Sequence, residues 1–202
     1  PYDPAYEHDN CAVGFIANIK DRKSHEIVRQ GLQILVNLDH RGAVGADPLA
    51  GDGAGILIQV PDRLFRDEMA AQDVTLPAAG AYGVGMVFLP RVEKTRDRCI
   101  ASIERAVAAE GATILGWRDV PTDNSCLGES VSGEEPLIRQ ILVAPPAGMT
   151  DQDTFERKLF VIRKQSHGKI WYPGESGEGD ETGVFYITSM SSRTIVYKGM
   201  VL

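Results

Sequence analysis

The stretch "RGAVGADPLAGDGAGILIQV", residues 41–60, holds the reading on which the fold class turns. Its "GDGAGI" (51–56) looks like a dinucleotide-binding fingerprint. Such a fingerprint follows a strand and opens a helix, so that a pyrophosphate meets the helix N-terminus. Here the order is reversed, because the glycines precede "ILIQV" (56–60), a buried strand by its length and composition. Nucleotide binding is rejected on that ground. The glycines read instead as a turn-rich segment that lets backbone approach a site closely.

Working outward, "SHEIVRQGLQILVNLDH" (24–40) places Ile27, Val28, Leu32, Leu35, Val36 and Leu38 at helical spacing, with Ser24 as N-cap and Gly42 beyond the end. Upstream, "AVGFIANI" (12–19) reads as a strand. Downstream, Pro61 suits the first turn of a short helix, "PDRLFRDEMAAQ". Then follow a strand at 82–90, a helix at 94–110 with Cys99 on its apolar face, and a strand at 112–120. A polar loop, 121–136, leads to the strand "LIRQILVAPP" and to the helix "TDQDTFERKLFVIRKQSHG", capped by Thr150 or Asp151. After an acidic loop at 172–183, two β-rich runs flank Ser191–Arg193, and the last one meets the C-terminus without a polar tail, as expected of a fragment. Strands outnumber a simple βα alternation. The fold class is therefore α+β, a layered domain with helices covering its sheets.

Composition narrows the function. The 202 residues are 43% apolar and 24% charged, which suits a globular chain with a sizeable core. A net charge of −7 with no basic stripe argues against nucleic acid. No apolar run reaches the roughly 18–20 residues that span a bilayer. The N-terminus, "PYDPAYEHDN", lacks the basic and apolar regions of a secretory signal. Three widely spaced cysteines and four histidines form neither a CxxC pair nor metal-ligand spacing. A reduced, cytoplasmic chain is the expectation.

Cys11 heads the run 12–19, and a cysteine so placed is more often a small buried hydrophobe than a nucleophile. A nucleophilic cysteine needs its thiolate and therefore a base. An N-terminal amine can supply that base, since it titrates near pH 8. That solution requires removal of residues 1–10. Arg41 offers a fork of donors suited to a carboxylate, although its spacing alone favours a solvated cation at a helix C-terminus.

"YDPAYEHDNCAVGFIANIK", "LDHRGAVGADPLAGDGAGILIQVPDRLF" and "SSRTIVYKGMVL" resemble, in order and along nearly the whole chain, the start of glutamate synthase large subunits. The resemblance implies a class II (N-terminal nucleophile) glutamine amidotransferase domain at 11–202, behind a propeptide-like segment at 1–10. It implies a four-layer αββα sandwich, incomplete here. Cys11 matches the nucleophile and Asn10 the residue before the cut. Arg41 and Gly42 match the "HRG" beside the glutaminase site, and Asp52 to Ile56 the motif that follows it.

By the same resemblance the substrate is L-glutamine. Its ammonia would pass through the remainder of the large subunit to 2-oxoglutarate, assimilating ammonia into glutamate. FMN and an iron–sulfur cluster are implied for that full-length oxidoreductase and none for this chain. Electrons would come from a small subunit or ferredoxin. Two departures stand out. Ala12 replaces the glycine common after the cysteine, and the oxyanion-hole Asn-Gly and glutamine-gripping residues lie in segments outside this sequence. Lost oxyanion donors cost about a hundred- to a thousandfold in rate, so weak activity is expected of the piece alone. The competing readings are a catalytically silent partner-binding module or unprocessed precursor, and an α+β domain in which Cys11 is merely core.

Overall fold

Four apolar runs pair into one antiparallel sheet whose two faces are both buried. The computed structural model describes residues 12–20, 22–39, 53–125, 127–128, 133, 135–171 and 184–199. In chain order the elements are α1 (His25–Asn37), β1 (Ala54–Gln59), α2 (Asp62–Ala70), β2 (Gly83–Leu89), α3 (Glu93–Ala109), β3 (Thr113–Asp119), β4 (Leu137–Ala144), α4 (Gln152–Trp171), β5 (Tyr186–Ser191) and β6 (Thr194–Gly199). The main sheet runs β3-β4-β2-β5, and β1 and β6 form a second, two-stranded sheet. The described residues fall into two compact units, one drawn from 57–122 and 134–197, the other from 1–56, 123–133 and 198–202.

In the larger unit, alternation along the strands sorts side chains onto two faces. Val87 and Leu89 of β2 and Ile141 and Val143 of β4 meet Cys99, Ile103, Ala106 and Val107 of α3 and Phe155, Leu159 and Ile162 of α4. On the opposite face, Val84, Met86 and Leu142 meet Phe65 and Met69 of α2, with Ile195 of β6 and the half-buried Ile58 beside them. Within this unit α3 and α4 thus cover one face of the main sheet, and α2 with Ile58 and Ile195 covers the other. Each fully buried Leu, Ile or Phe contributes about 1.5–3 kcal/mol, against 0–1 for an exposed ion pair, so these two clusters decide the stability.

Local chemistry explains the boundaries. Asp151 caps α4, its carboxylate accepting the Thr154 backbone N–H at 2.8 Å. Pro61 sits at the N-cap of α2 rather than inside its first turn. Asp62 on that first turn accepts from Tyr82 Oη at 2.9 Å and from Arg66 Nη2 at 2.8 Å. Arg66 also reaches the carbonyls of Leu76 and Pro77, at 2.9 and 2.8 Å, which ties the 74–82 connection to α2. Burial, and then the Asp62 bond, push the Tyr82 hydroxyl well above its ordinary pKa, so it stays a donor.

One expectation needs correction. Residues 12–18 are not a strand. Val13 is 93% and Phe15 87% exposed, so the apolar pattern meets no paired neighbour among the described residues. A strand exists only through its ladder, and hydrophobicity alone does not supply the partner. The helix read at 24–40 is shorter, His25–Asn37, and Ser24 occupies its N-cap without a side-chain capping bond.

Candidate functional site

Three segments carry the residues singled out in the sequence. Residues 12–20 follow Cys11, α1 leads towards Arg41 and Gly42, and β1 continues from Asp52. Cys11, Asn10, Arg41, Gly42, Asp52 and the loop thiol Cys126 themselves lie outside the described residues.

What is described brings residues 12–20 and the start of β1 onto one face of α1. Gly14 lies against Ile34, since a Cβ there would stand 2.5 Å from Ile34 Cγ2. One turn earlier, a Cβ on Gly31 would stand 2.9 Å from Ile56 Cδ1. Positions 31 and 34 are neighbours on a helix surface, so the chain after Cys11 and the start of β1 share one support. Gly53 enters β1 at φ 95°, a conformation that side chains rarely adopt. Gly53 thus precedes the strand as the sequence order predicts, whereas Gly55 lies inside it, because β1 begins at Ala54 rather than at Ile56.

Cys99, by contrast, is core. It is fully buried in the α3–sheet cluster, and burial pushes its thiol up to about 11. A thiol with so little thiolate at neutral pH is a poor nucleophile. Alkylation of the native chain with iodoacetamide is expected to spare Cys99 until unfolding, with peptide mass mapping as the check. The raised pKa also fixes a sign. The folded state loses stability as pH rises from the ordinary thiol value of 9.0 through about 11, because only the unfolded chain readily ionises there.

Sequence reasoning missed a buried polar rail on the second face of the main sheet. Arg118, only 8% exposed, donates from Nε to Glu68 Oε2 at 2.7 Å and from Nη1 to Gln140 Oε1 at 3.0 Å. Gln140 passes the rail on, Nε2 to Tyr197 Oη at 3.2 Å. Tyr197 belongs to the "SSRTIVYKG" stretch, so α2, β3 and β4 together fix a side chain of β6. The available signal was Gln140, an amide next to Arg139 in the strand "LIRQILVA". A cavity of about 370 Å³ beside the start of α4 is lined by Gly80, Pro145, Met149, Gln152 and the two cap candidates Thr150 and Asp151, none of them a candidate catalytic or substrate residue.

Among the described residues, no group of three or more His, Cys, Asp or Glu side chains could hold a metal ion, and no helix is long and apolar enough to cross a membrane.

An α+β chain whose glycine-led strand and cysteine-led segment meet on one helix corresponds to a known family. The model of the class II glutamine amidotransferases matches residues 11–202, and the chain belongs to that family. It is 42% identical over 199 residues to the glutamate synthase [NADPH] large chain of Bacillus subtilis (strain 168), covering 98% of this chain and 12% of that one. It is 43% identical over 204 residues to a glutamate synthase [NADH] of Schizosaccharomyces pombe, covering 98% of this chain and 9% of the relative. A ferredoxin-dependent glutamate synthase 2 of Synechocystis is 38% identical over 195 residues, 96% of this chain and 12% of that one. The chain thus spans about a tenth of the length of these curated relatives.

Proposed function

We propose that this chain is the glutaminase part of a glutamate synthase, in which Cys11 becomes the N-terminal residue and attacks L-glutamine. One observation carries the reading: the family match starts at Cys11 itself and leaves residues 1–10 outside it. That is the boundary expected if the mature domain begins with its nucleophile. The four-layer αββα sandwich belongs to the same reading.

The chemistry closes on the chain's own groups. The α-amine of Cys11 takes the thiol proton, and Sγ attacks the side-chain carbonyl carbon of glutamine. The C–N bond of the tetrahedral adduct breaks as the ammonium returns that proton to the leaving nitrogen, giving ammonia and a γ-glutamyl thioester. Water, deprotonated by the same amine, attacks the thioester and releases glutamate and the thiol. Arg41 and Gly42, in the "HRG" that the resemblance sets beside the glutaminase site, would border the bound substrate. Glutamine and water become glutamate and ammonia, with nothing oxidised or reduced.

Ammonia would then travel to 2-oxoglutarate elsewhere in the longer protein, where FMN and an iron–sulfur cluster supply the redox chemistry. Among the described residues no group of His, Cys, Asp or Glu side chains fits a metal. A cytoplasmic setting and an electron-donating subunit or ferredoxin belong to the same reading.

The test is intact mass followed by labelling with a diazoketone analogue of glutamine. A mature mass starting at Cys11, with the label on Cys11 and arriving faster than on a free thiol, supports the proposal. A chain that retains residues 1–10 and reacts no faster than a free thiol is a silent module or precursor.

A further inference from the structure

The segment that follows Cys11 has no ladder among the described residues, and its side chains do little to hold it. Val13, Phe15 and Ile19 are 93, 87 and 98% exposed. At its far end Asn18 Oδ1 accepts the Lys20 N–H at 2.8 Å, closing a turn ahead of α1. Between Cys11 and that turn lies Gly14, and there the backbone itself meets α1. A Cβ at Gly14 would stand 2.5 Å from Ile34 Cγ2, 3.2 Å from Cδ1 and 3.7 Å from Cβ.

The contact is stiff, and the atom that makes it decides that. Ile34 lies within α1, and a β-branched residue in a helix keeps essentially one χ1 rotamer, so its Cγ2 methyl does not swing aside. The contact one turn earlier is softer. A Cβ at Gly31 would meet Ile56 Cδ1 at 2.9 Å and nothing else nearer than 3.8 Å, and Cδ1 is the free end of its side chain. Backbone conformation does not explain the glycine either. Positive φ is found at Gly53, Gly80, Gly111 and Gly148, but not at Gly14. The missing Cβ at Gly14 therefore answers to Ile34.

We propose that Gly14 is a positioning residue: seated against Ile34 Cγ2, it fixes on α1 the stretch of chain to which the Cys11 nucleophile is bonded. Cys11 joins Ala12 through one peptide bond, so the thiol is tied to this contact by at most about 11 Å of chain. The inference rests on the glutaminase reading. Restoring an ordinary carbon–carbon separation of about 3.5 Å for a methyl at position 14 needs about 1 Å of movement, which the chain must supply. Glutamine must meet the thiol in a near-attack arrangement, where a displacement of about 1 Å costs on the order of a hundredfold. A small thiol reagent makes no such demand.

The test compares two labelling rates at Cys11, that of the glutamine diazoketone and that of iodoacetamide, in wild type, Gly14→Ala, Ile34→Ala and the double variant. Part of the displacement is absorbed along three residues, so Gly14→Ala is expected to lower the ratio of the two rates about tenfold, with the iodoacetamide rate unchanged. Ile34→Ala removes the wall and frees the segment to shift, which lowers the ratio less. In the double variant the new methyl fills space that Ile34 vacates, and the ratio should recover towards wild type. A ratio within twofold of wild type in Gly14→Ala overturns the positioning role, even where thermal unfolding shows a loss of stability. A double variant no better than Gly14→Ala overturns it too, because the effect would not then pass through Ile34. Should Gly14→Ala not fold, Ile34→Ala and the double variant carry the comparison, and an unchanged ratio in Ile34→Ala overturns the proposal. A wild-type chain with no preference for the glutamine analogue defeats the glutaminase reading itself, and the positioning role falls with it.

Discussion

Cys11→Ala is expected to abolish labelling by the glutamine diazoketone and to reduce glutamine-dependent ammonia release at least a thousandfold, to background. The size follows from role. Removing a nucleophile deletes the covalent route entirely, whereas removing one oxyanion donor only weakens it by a hundred- to a thousandfold. The same substitution should leave residues 1–10 attached. If processing is autocatalytic, Cys11 Sγ attacks the Asn10 carbonyl, the acyl group moves from nitrogen to sulfur, and water hydrolyses the thioester; alanine offers no acceptor. Intact mass of the variant reports processing, and thermal unfolding shows whether the fold is retained. A Cys11→Ala chain made without residues 1–10 has its α-amine but no thiol, and should stay unlabelled. Labelling of that variant at any other residue, at the wild-type rate, would remove Cys11 from the mechanism.

Most of the architecture between residues 54 and 199 is legible in the sequence, because there each apolar run finds a partner in the described structure. The helix read at 94–110 is found at Glu93–Ala109, and the strand read at 82–90 at Gly83–Leu89. Asp151, one of the two caps expected, makes the capping bond. The strand expected at 12–19 fails for the opposite reason. Its pattern describes what the segment would bury, while ladder partners are a property of the rest of the molecule.

The candidate site rests on a different kind of reading. Cys11, Arg41 and Gly42 come from resemblance, since no spacing in the chain pairs the thiol with a base. The Arg118 rail was illegible because of one irregularity. Strict alternation from Ile114 would put Arg118 on the same face as Ile114, against α3. A register shift between Ile114 and Gly116 moves Trp117 to that face and turns Arg118 towards Gln140. A bulge adds one residue and reverses the face of everything after it. Glu156, which accepts hydrogen bonds from Ser191 Oγ and the Ser192 N–H, was invisible for a simpler reason. Its partners lie 35 and 36 positions away, and an acidic residue on an amphipathic helix reads as solvated surface.

The second large effect concerns the seam where α4 meets β2. Leu159 is fully buried, and a Cβ on Gly83 would stand 2.5 and 2.8 Å from its two methyl carbons and 3.2 Å from Cγ. The glycine thus makes the hollow that the leucine fills. Leu159→Ala should cost about 2–5 kcal/mol through lost transfer energy and the cavity left behind. At roughly 2–4 °C per kcal/mol for a chain of this size, the melting temperature falls by about 4 °C at the least and nearly 20 °C at the most. Gly83→Ala should cost about 1–3 kcal/mol, because the new methyl meets a side chain with little room to turn. The two changes are expected to couple. In the double variant the Gly83→Ala methyl occupies part of the space Leu159 leaves, so the costs should fall short of their sum by about 1 kcal/mol. Strict additivity in chemical denaturation would mean that α4 yields freely at this point. The close approach of Leu159 to Gly83 would then not be what sets the spacing between helix and sheet.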